Sequence, residues 1–384
     1  MTKLYAKGLA FLLAAVMMFS MAACAKTTEQ AQTPVQETES QAPAAAVEPV
    51  SADGGAKKVG ISMPTKSLQR WNQDGAYMEE MFKAAGYEVD LQYGGENEVP
   101  VQINQIENMI AGGCDVLVIA AIDGDSLTEV LADAKAKNIP VIAYDRLIMK
   151  TDAISYYATF DNWKVGTFQG KYVEEALKLA SSAGPYYIEF FTGDPGDNNI
   201  NFFFGGAMEV LQPYLDSGKL VCPSGQTEKL TVATEGWKTE NAQSRMENII
   251  SSNNYGPTKS KLDAVMCSND STAQGVTNAL SNAGYTAGNF PVVTGQDCDI
   301  VSCKNMIAGT QSMSVFKDTR TLAAQVVKMV TQFLKGEKVD VNDTETYDNG
   351  TGVIPSFLCE PVSYTVDDIQ KLIDSGYYSE ADLN

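Results

Sequence analysis

The chain has 384 residues, 44% of them hydrophobic, which is long enough to form two domains of ordinary size. Its formal net charge of -20 argues against nucleic acid as a partner, because so acidic a chain does not displace the counterions of phosphates. The sequence contains no histidine, which excludes Ser-His-Asp and Cys-His catalytic sites and histidine-ligated metals.

The N-terminal residues have the pattern of an export signal. Two lysines precede residues 8–23, which are uncharged, mostly apolar and end in small residues. This stretch is short for a membrane span, which needs about 20 apolar residues. It ends in the letters MAAC, which resemble the bacterial lipobox, so residues 1–23 are predicted to be a lipoprotein signal peptide cleaved before Cys24. The alternative is an ordinary signal peptide with a bystander cysteine.

Residues 24–56 are predicted to form a flexible tether. The segment lacks aromatic residues and has almost no large apolar ones, so burial cannot offset the entropy of ordering it. A lipid on Cys24 would hold the exported protein at the outer face of the cell membrane. Since the net charge disfavours anionic lipid, we expect membrane attachment through the lipid on Cys24 only.

From residue 57 onward, short apolar runs alternate with helical patterns. The runs that predict strands cover residues 58–63, 87–93, 115–121, 139–144, 186–193, 219–226, 262–268 and 290–297. Between them, apolar residues recur at helical spacing, for example at Leu127, Val130, Leu131 and Ala134. Asp125 and Ser126 stand where the N-cap of that helix is expected.

This alternation in two groups predicts an α/β fold of two doubly wound parallel-sheet lobes. A break at residues 154–162 indicates the first passage of the chain between lobes. In open α/β sheets, ligands bind at the carboxyl ends of the strands. Polar residues recur at that edge: Asp145 and Arg146 directly follow one predicted strand, and others fall in segments 62–66, 70–71, 192–199, 268–270 and 295–297.

These residue types suit a neutral polyol. Carboxylates and amides accept hydrogen bonds from vicinal hydroxyls, and Arg and Lys donate to them. Trp71 and Trp237 lie among polar, turn-like residues and offer flat faces for the C–H side of a pyranose. The plainer interpretations are a solvated turn for Asp145 and Arg146, and core packing for each tryptophan. No dinucleotide glycine motif follows a predicted strand, and no cofactor is expected.

From about residue 58 to the C-terminus the chain resembles the periplasmic xylose-binding and multiple-sugar-binding proteins, the substrate-binding components of sugar ABC transporters. The motifs that carry this resemblance are RW, VLVIAAIDG, VIAYDRLI, SYYATFDN, GDNN, SND, GQD, VFKDTR, DTETYDNG and GYY. The resemblance implies a type I periplasmic binding protein fold, whose two lobes are joined by a three-crossing hinge. It further implies a monosaccharide of the xylose, glucose, galactose or arabinose class, delivered to a membrane permease with its ATPase.

The resemblance also assigns the ligand-binding residues. They are Asp145 and Arg146 as a central pair, Arg70 and Trp71 after the first strand, Asn199 and Trp237 on the C-terminal lobe, Asn269 and Asp297 as further hydroxyl partners, Lys317 as a donor near the hinge, and Lys66. The N-terminal lobe is expected to comprise residues 57–160 and about 297–340. The C-terminal lobe is expected to comprise residues 161–296 and about 341–384.

Two other functions remain open. The chain could serve a sensor kinase or chemoreceptor with the same ligand, or act as a glycosidase with Asp145 and Asp297 as its two carboxylates. We expect a binding protein and not an enzyme. The Asp- and Asn-rich segment 340–350 does not match a calcium-binding EF-hand, because Glu345 stands where that loop needs glycine, and it is interpreted as a solvated or hinge-adjacent loop.

Overall fold

A computed structural model of the protein describes residues 56–384. The predicted signal peptide, the predicted lipid on Cys24 and the predicted tether, apart from its last residue, lie outside the described residues. The strands are β1 (Lys58–Met63), β2 (Glu88–Tyr93), β3 (Val116–Ile119), β4 (Val141–Tyr144), β5 (Ile154–Phe160), β6 (Tyr186–Phe191), β7 (Leu220–Val221), β8 (Ala264–Cys267), β9 (Val292–Val293), β10 (Ser314–Phe316), β11 (Ser356–Cys359) and β12 (Val362–Tyr364).

The helices connect these strands and cover both faces of each sheet. They are α1 (Gln69–Ala84), α2 (Val99–Ala111), α3 (Thr128–Ala136), α4 (Asn162–Ala176), α5 (Asn199–Asp216), α6 (Thr239–Asn253), α7 (Asp270–Asn282), α8 (Ile300–Ala308), α9 (Thr319–Leu334), α10 (Ile369–Asp374) and α11 (Glu380–Leu383). Among these described helices, none is long and apolar enough to cross a membrane.

The N-terminal lobe is built on a parallel sheet in the order β2-β1-β3-β4-β5-β11. Every residue of β3 and β4 is buried, because helices cover the sheet on both sides. Alternate residues of each strand point to opposite faces. One face packs against α1 and α9, and the other packs against α2 and α3.

The C-terminal lobe contains the parallel sheet β7-β6-β8-β9. Helices α6 and α7 cover one face, and α4 and α5 cover the other. Val315 of β10 forms a parallel bridge with Gln296, and β12 pairs with β10 in antiparallel orientation. Strands β10 and β12 therefore extend this second sheet beyond β9.

The chain passes between the lobes three times within its described part, after β5, after β10 and after β11. The second and third passages differ from the predicted lobe boundaries. Residues 297–316 lie in the C-terminal lobe, because β10 bonds to the segment that follows β9. Residues 341–359 lie in the N-terminal lobe, because β11 pairs with β5. The Asp- and Asn-rich segment is anchored there as well, since buried Asn349 donates hydrogen bonds to the carbonyl oxygens of Ile148 and Thr151.

Helix α3 shows where local patterns predict correctly and where they fail. The predicted apolar face is confirmed, since Leu127, Val130, Leu131 and Ala134 are all buried. The predicted N-cap is wrong. The carboxylate of Asp123 accepts hydrogen bonds from the backbone N–H of Asp125 and the hydroxyl of Ser126, and this turn delays the start of the helix until Thr128.

Helices α4 and α5 approach each other backbone to backbone. A Cβ on Gly166 would lie 2.0 Å from the carbonyl oxygen of Phe203, and one on Gly206 would lie 2.1 Å from the carbonyl oxygen of Trp163. Only glycine permits so close a contact. The two helix N-termini are thereby held together, at the edge of the lobe that faces the N-terminal lobe.

We predict that Gly206→Ala lowers the free energy of unfolding by about 1–3 kcal/mol, because the new methyl group meets backbone that cannot yield. The matched control is Gly205→Ala in the same helix. Its Cβ would meet the half-exposed ring of Trp163, a side chain that can move, and alanine favours the helix by about 1 kcal/mol. Urea denaturation measures both changes, and equal effects would contradict the packing argument.

Candidate functional site

A cavity that is partly open to solvent lies between the two lobes. Nine residues named from the sequence line it: Arg70, Trp71, Asp145, Arg146, Asn199, Trp237, Asn269, Asp297 and Lys317. The other lining residues, which the sequence analysis did not name, are Leu68, Asp197, Phe203, Ser271, Gln296 and Asp299. Both lobes and the second crossing therefore contribute to one shared cavity.

Asp145 follows β4 in a left-handed conformation, with φ of 58°. Its carbonyl oxygen accepts hydrogen bonds from the hydroxyls of Tyr157 (2.6 Å) and Thr159 (3.0 Å) and from the amide nitrogen of Asn199 (2.8 Å). Asp tolerates this backbone region better than most residues do. The sharp turn ends the strand and leaves the carboxylate of Asp145 in the cavity wall.

Arg70, at the start of α1, lies among three carboxylates. Its guanidinium contacts Asp74 and Asp145 at 3.0 Å each and Asp297 at 3.4 Å. Asp74 also accepts a short hydrogen bond from Tyr144, and burial raises the pKa of Asp74 to about 6 although Arg70 opposes that shift. The guanidinium thus connects a carboxylate of the N-terminal lobe with one of the C-terminal lobe.

Lys317 lies at the second crossing and contacts the same carboxylates. Its ammonium lies 3.1 Å from Asp297 and 3.9 Å from Asp145, and only 2% of its side chain is exposed. Burial acts to raise the pKa of Asp145, but the charges of Arg70 and Lys317 outweigh it and hold that pKa below its usual range. Asp145 is therefore ionised and acts as a hydrogen-bond acceptor at neutral pH.

Arg146 forms a second ion pair between the lobes. Its Nε lies 2.9 Å from Asp197, and its Nη1 donates to the carbonyl oxygens of Ala121 (3.0 Å) and Ile122 (3.3 Å). Asp197 lies on the C-terminal lobe, in the polar segment 192–199 that the sequence had indicated. The pair is buried, so solvent screens it little.

Two tryptophans line the cavity. The guanidinium carbons of Arg70 and Arg146 lie 4.6 and 5.0 Å from the ring centroid of Trp71, within the range of cation–π contacts. Trp237 packs edge to face against Phe203, with ring centroids 6.2 Å apart. Both indoles are buried, and within residues 56–384 neither Nε1 has a hydrogen-bond partner. Buried N–H groups without an acceptor are uncommon in folded proteins.

The two asparagines are already oriented by hydrogen bonds. Asn199, the first residue of α5, accepts at its side-chain oxygen from Asn162 (3.1 Å). Asn269 caps α7 by accepting from the backbone N–H of Thr272 (3.0 Å), and its amide nitrogen donates to the hydroxyl of Ser271 (2.8 Å). The helix N-termini thus place these amides at the cavity wall.

Three lining residues have positive φ angles: 58° at Asp145, 57° at Trp237 and 100° at Asp297. Non-glycine residues with such angles are uncommon, and their clustering is typical of functional sites. In each case a strand end or tight turn directs the side chain toward the space between the lobes.

Asp299 is an acidic lining residue that the sequence analysis did not name. Its buried Oδ1 has no hydrogen-bond partner among the described residues. Burial raises the pKa of Asp299 to about 7, Asp297 adds to that shift, and Arg70 and Lys317 oppose it. The neighbouring Asp270, which accepts a hydrogen bond from the backbone N–H of Asp299, has its pKa raised in the same way, chiefly by burial.

Lys66 is the one residue named from the sequence within 56–384 that lies away from the cavity. It is exposed, and its ammonium lies 4.8 Å from the ring centroid of Tyr93. The preceding residue, Thr65, bridges to Glu96, so the chain after β1 turns toward β2. The side chain of Lys66 therefore points to the outer surface of the N-terminal lobe.

The raised pKa of Asp299 gives a prediction for stability. A carboxyl group whose folded pKa lies above its ordinary 3.8 favours folding when protonated, and this contribution is lost as pH rises toward about 7. We expect Asp299→Asn, which stays neutral, to show a smaller loss of thermal stability over that pH window than wild type. Asp374→Asn, an exposed control, should follow wild type; identical curves for wild type and Asp299→Asn would contradict the assignment.

Comparison with known proteins connects this site with a family. Residues 59–338 match the periplasmic binding protein domain. The chain is 50% identical over 326 residues to the multiple sugar-binding periplasmic protein SbpA of Azospirillum brasilense, covering 84% of this chain and 90% of that protein. It is 36% identical over 335 residues to the D-xylose-binding periplasmic protein of Escherichia coli strain K12, covering 87% and 94% respectively.

A solved structure shares the same fold over nearly the whole described region. The ABC transporter solute binding protein from Clostridium phytofermentans, crystallised with bound β-D-glucose, has 61% sequence identity and a TM-score of 0.83. The match covers 85% of this chain and 100% of that chain. The chain therefore belongs to the periplasmic binding protein family and has the type I fold.

Proposed function

We propose that this protein binds one monosaccharide between its lobes and delivers it to the permease and ATPase of an ABC importer. The observation that carries this proposal is the convergence of charged, amide and aromatic side chains from both lobes on one cavity. Its similarity to sugar-binding relatives, one of them with glucose bound, supports the same ligand class.

The charged side chains of the cavity can form hydrogen bonds with neighbouring hydroxyl groups of a sugar. A sugar hydroxyl donates to a carboxylate while it accepts from a guanidinium or ammonium, and Asp145, Arg146 and Lys317 offer both kinds of partner. Hydrogen bonds to charged groups contribute about 1.5–3 kcal/mol each. Four or five of them, less the cost of ordering, reach the roughly -8 kcal/mol of micromolar binding. Asn199, Asn269, Asp297 and Arg70 complete this proposed polar set.

The apolar faces of the ring need different partners. Trp71 comes from the N-terminal lobe and Trp237 from the C-terminal lobe, so the two indoles can contact a pyranose from separate sides. Their free N–H groups can donate to hydroxyls at the ring edge. Aromatic faces and charged edges together favour a single sugar ring over a fatty or fully charged ligand.

Closure of the lobes couples this binding to transport. Arg146 and Asp197 pair between lobes, and Lys317 at the crossing contacts a carboxylate from each lobe. A ligand shifts a hinged protein toward the closed state only if it contacts that state better. Because the proposed contacts come from both lobes, a bound sugar favours closure.

The low pKa of Asp145 argues against the glycosidase alternative. A general acid needs a raised pKa, whereas the charges of Arg70 and Lys317 hold the pKa of Asp145 low. Asp297 contacts the same two cations. We therefore infer a binding role without catalysis for this pair of carboxylates.

The ligand assignment is tested by calorimetric titration with xylose, glucose, galactose and arabinose. Asp145→Asn keeps a residue that tolerates left-handed backbone but removes the charge. We predict that it weakens binding of the preferred sugar at least ~10-fold, since a charged hydrogen bond is lost. Lys66→Ala serves as the control, because Lys66 lies outside the cavity, and it should bind as wild type does. Unchanged affinity in Asp145→Asn would rule out the proposed site.

We propose further that the exported protein is held at the outer face of the cell membrane by lipid on Cys24. The lipobox-like letters before Cys24 and the extended polar segment after it support this assignment. We predict that Cys24→Ser moves the protein from the membrane fraction to the soluble fraction and abolishes incorporation of labelled fatty acid. Cys114→Ser, which alters a buried thiol of the folded part, should leave both readouts unchanged. Retention of the label in Cys24→Ser would contradict the lipid assignment.

A further inference from the structure

Gly193, two residues after the end of β6, lies directly against the indole of Trp237. A Cβ built on Gly193 would lie 2.0 Å from Cζ2 and 2.1 Å from both Cε2 and Cη2. Near-equal distances to three consecutive ring atoms place that Cβ over the face of the ring and not beyond its edge. The backbone of Gly193 therefore forms one side of the slot that holds the indole.

The need for glycine here is steric and not conformational. The φ of Gly193 lies outside the left-handed region, so its backbone is open to any L-residue. What the position excludes is a Cβ. The Gly193 carbonyl also accepts a hydrogen bond from the backbone N–H of Thr234 (3.0 Å), which fixes the chain leading to Trp237 against the end of β6.

Contacts on other sides of Trp237 also fix its position. Phe203 packs edge to face against it, and the hydroxyl of Ser271 donates to the carbonyl oxygen of Trp237 (2.8 Å). Trp237 lines the cavity and Gly193 does not, and Trp237 also borders a second pocket, lined by Asp194 among others. Raising a 2.0 Å contact to ordinary carbon–carbon separation would move the ring by ~1.5 Å.

We propose that Gly193 is a positioning residue for sugar binding, which fixes the position of the indole of Trp237 at the cavity wall by letting the ring lie flat against the backbone. This inference rests on the proposed function, because it assigns Trp237 as a surface that the sugar ring contacts. Gly193 itself acts only through Trp237. A side chain at 193 displaces the indole from the position in which it would contact the sugar ring.

The test is a double-mutant cycle at positions 193 and 237, read by calorimetry with the preferred sugar. Gly193→Ala should weaken binding at least 10-fold. Trp237→Phe lacks Cζ2 and Cη2, two of the three ring atoms that the new Cβ would meet, so adding Gly193→Ala to Trp237→Phe should change its affinity less than 3-fold. Gly288→Ala is the control, since among the described residues no atom lies within 4 Å of a Cβ there and its φ is ordinary.

A merely structural role for Gly193 predicts another pattern. Gly193→Ala would then weaken binding equally in both backgrounds or prevent folding in both, as judged by thermal unfolding without sugar, and either result overturns the proposal. Sugar binding by Gly193→Ala that is as tight as that of wild type would also overturn the proposal. Rescue by Trp237→Phe supports it, because relief of a steric contact is non-additive.

A spectroscopic readout separates this proposal from the ligand assignment. The chain has three tryptophans, so Trp71→Phe/Trp163→Phe leaves Trp237 as the sole indole emitter. In that background Gly193→Ala should shift the emission maximum without any sugar present. If wild type binds no sugar, the proposed function and the positioning role both fall, while a shift would still establish the steric contact. An unchanged spectrum together with sugar binding by wild type overturns the positioning role alone.

Discussion

The buried charges of Arg70, Asp145, Asp297 and Lys317 hold the two halves of this molecule in register. Each carboxylate comes from a different lobe, and both cations contact both carboxylates. Such charges are costly to remove from water, and their mutual contacts are what compensates for burial. The lobes also make apolar contacts, such as Phe202 against Tyr347, but the centre of their interface is formed by charged side chains that water can solvate when it opens. The same charged contacts therefore stabilise the closed state of the two lobes and allow that state to reopen.

The rest of the fold serves to deliver side chains to that interface. Parallel sheets align the carboxyl ends of their strands, so Asp145 after β4 and the segment after β9 face each other across the cleft. Glycine contacts between α4 and α5 bring their N-termini close, which orients Asn199. The helices and strands form the rigid part of each lobe, and the turns that follow the strands hold the residues proposed to bind the ligand.

The sequence predicts those parts of the structure that depend on local pattern. Apolar runs locate β1, β3, β4 and β8 because buried parallel strands need continuous apolar residues. Asp145 and Arg146 could be placed at the end of a strand because they directly follow the apolar run of β4. Strands β10 and β11 escape prediction because their three or four residues form strands only through pairing with distant partners. Asp299 also escapes, since its raised pKa depends chiefly on burial that only folding brings about.

The left-handed backbone at Asp145 restricts which amino acids can be used to redesign this receptor. Three hydrogen bonds to its carbonyl oxygen hold the turn, so the conformation stays while the side chain changes. β-Branched and bulky residues are disfavoured there, which leaves Asn and Gly as the main alternatives. Any library aimed at a different sugar therefore gains more diversity by varying residues on ordinary backbone, such as Leu68 or Phe203, than by randomising the turn itself.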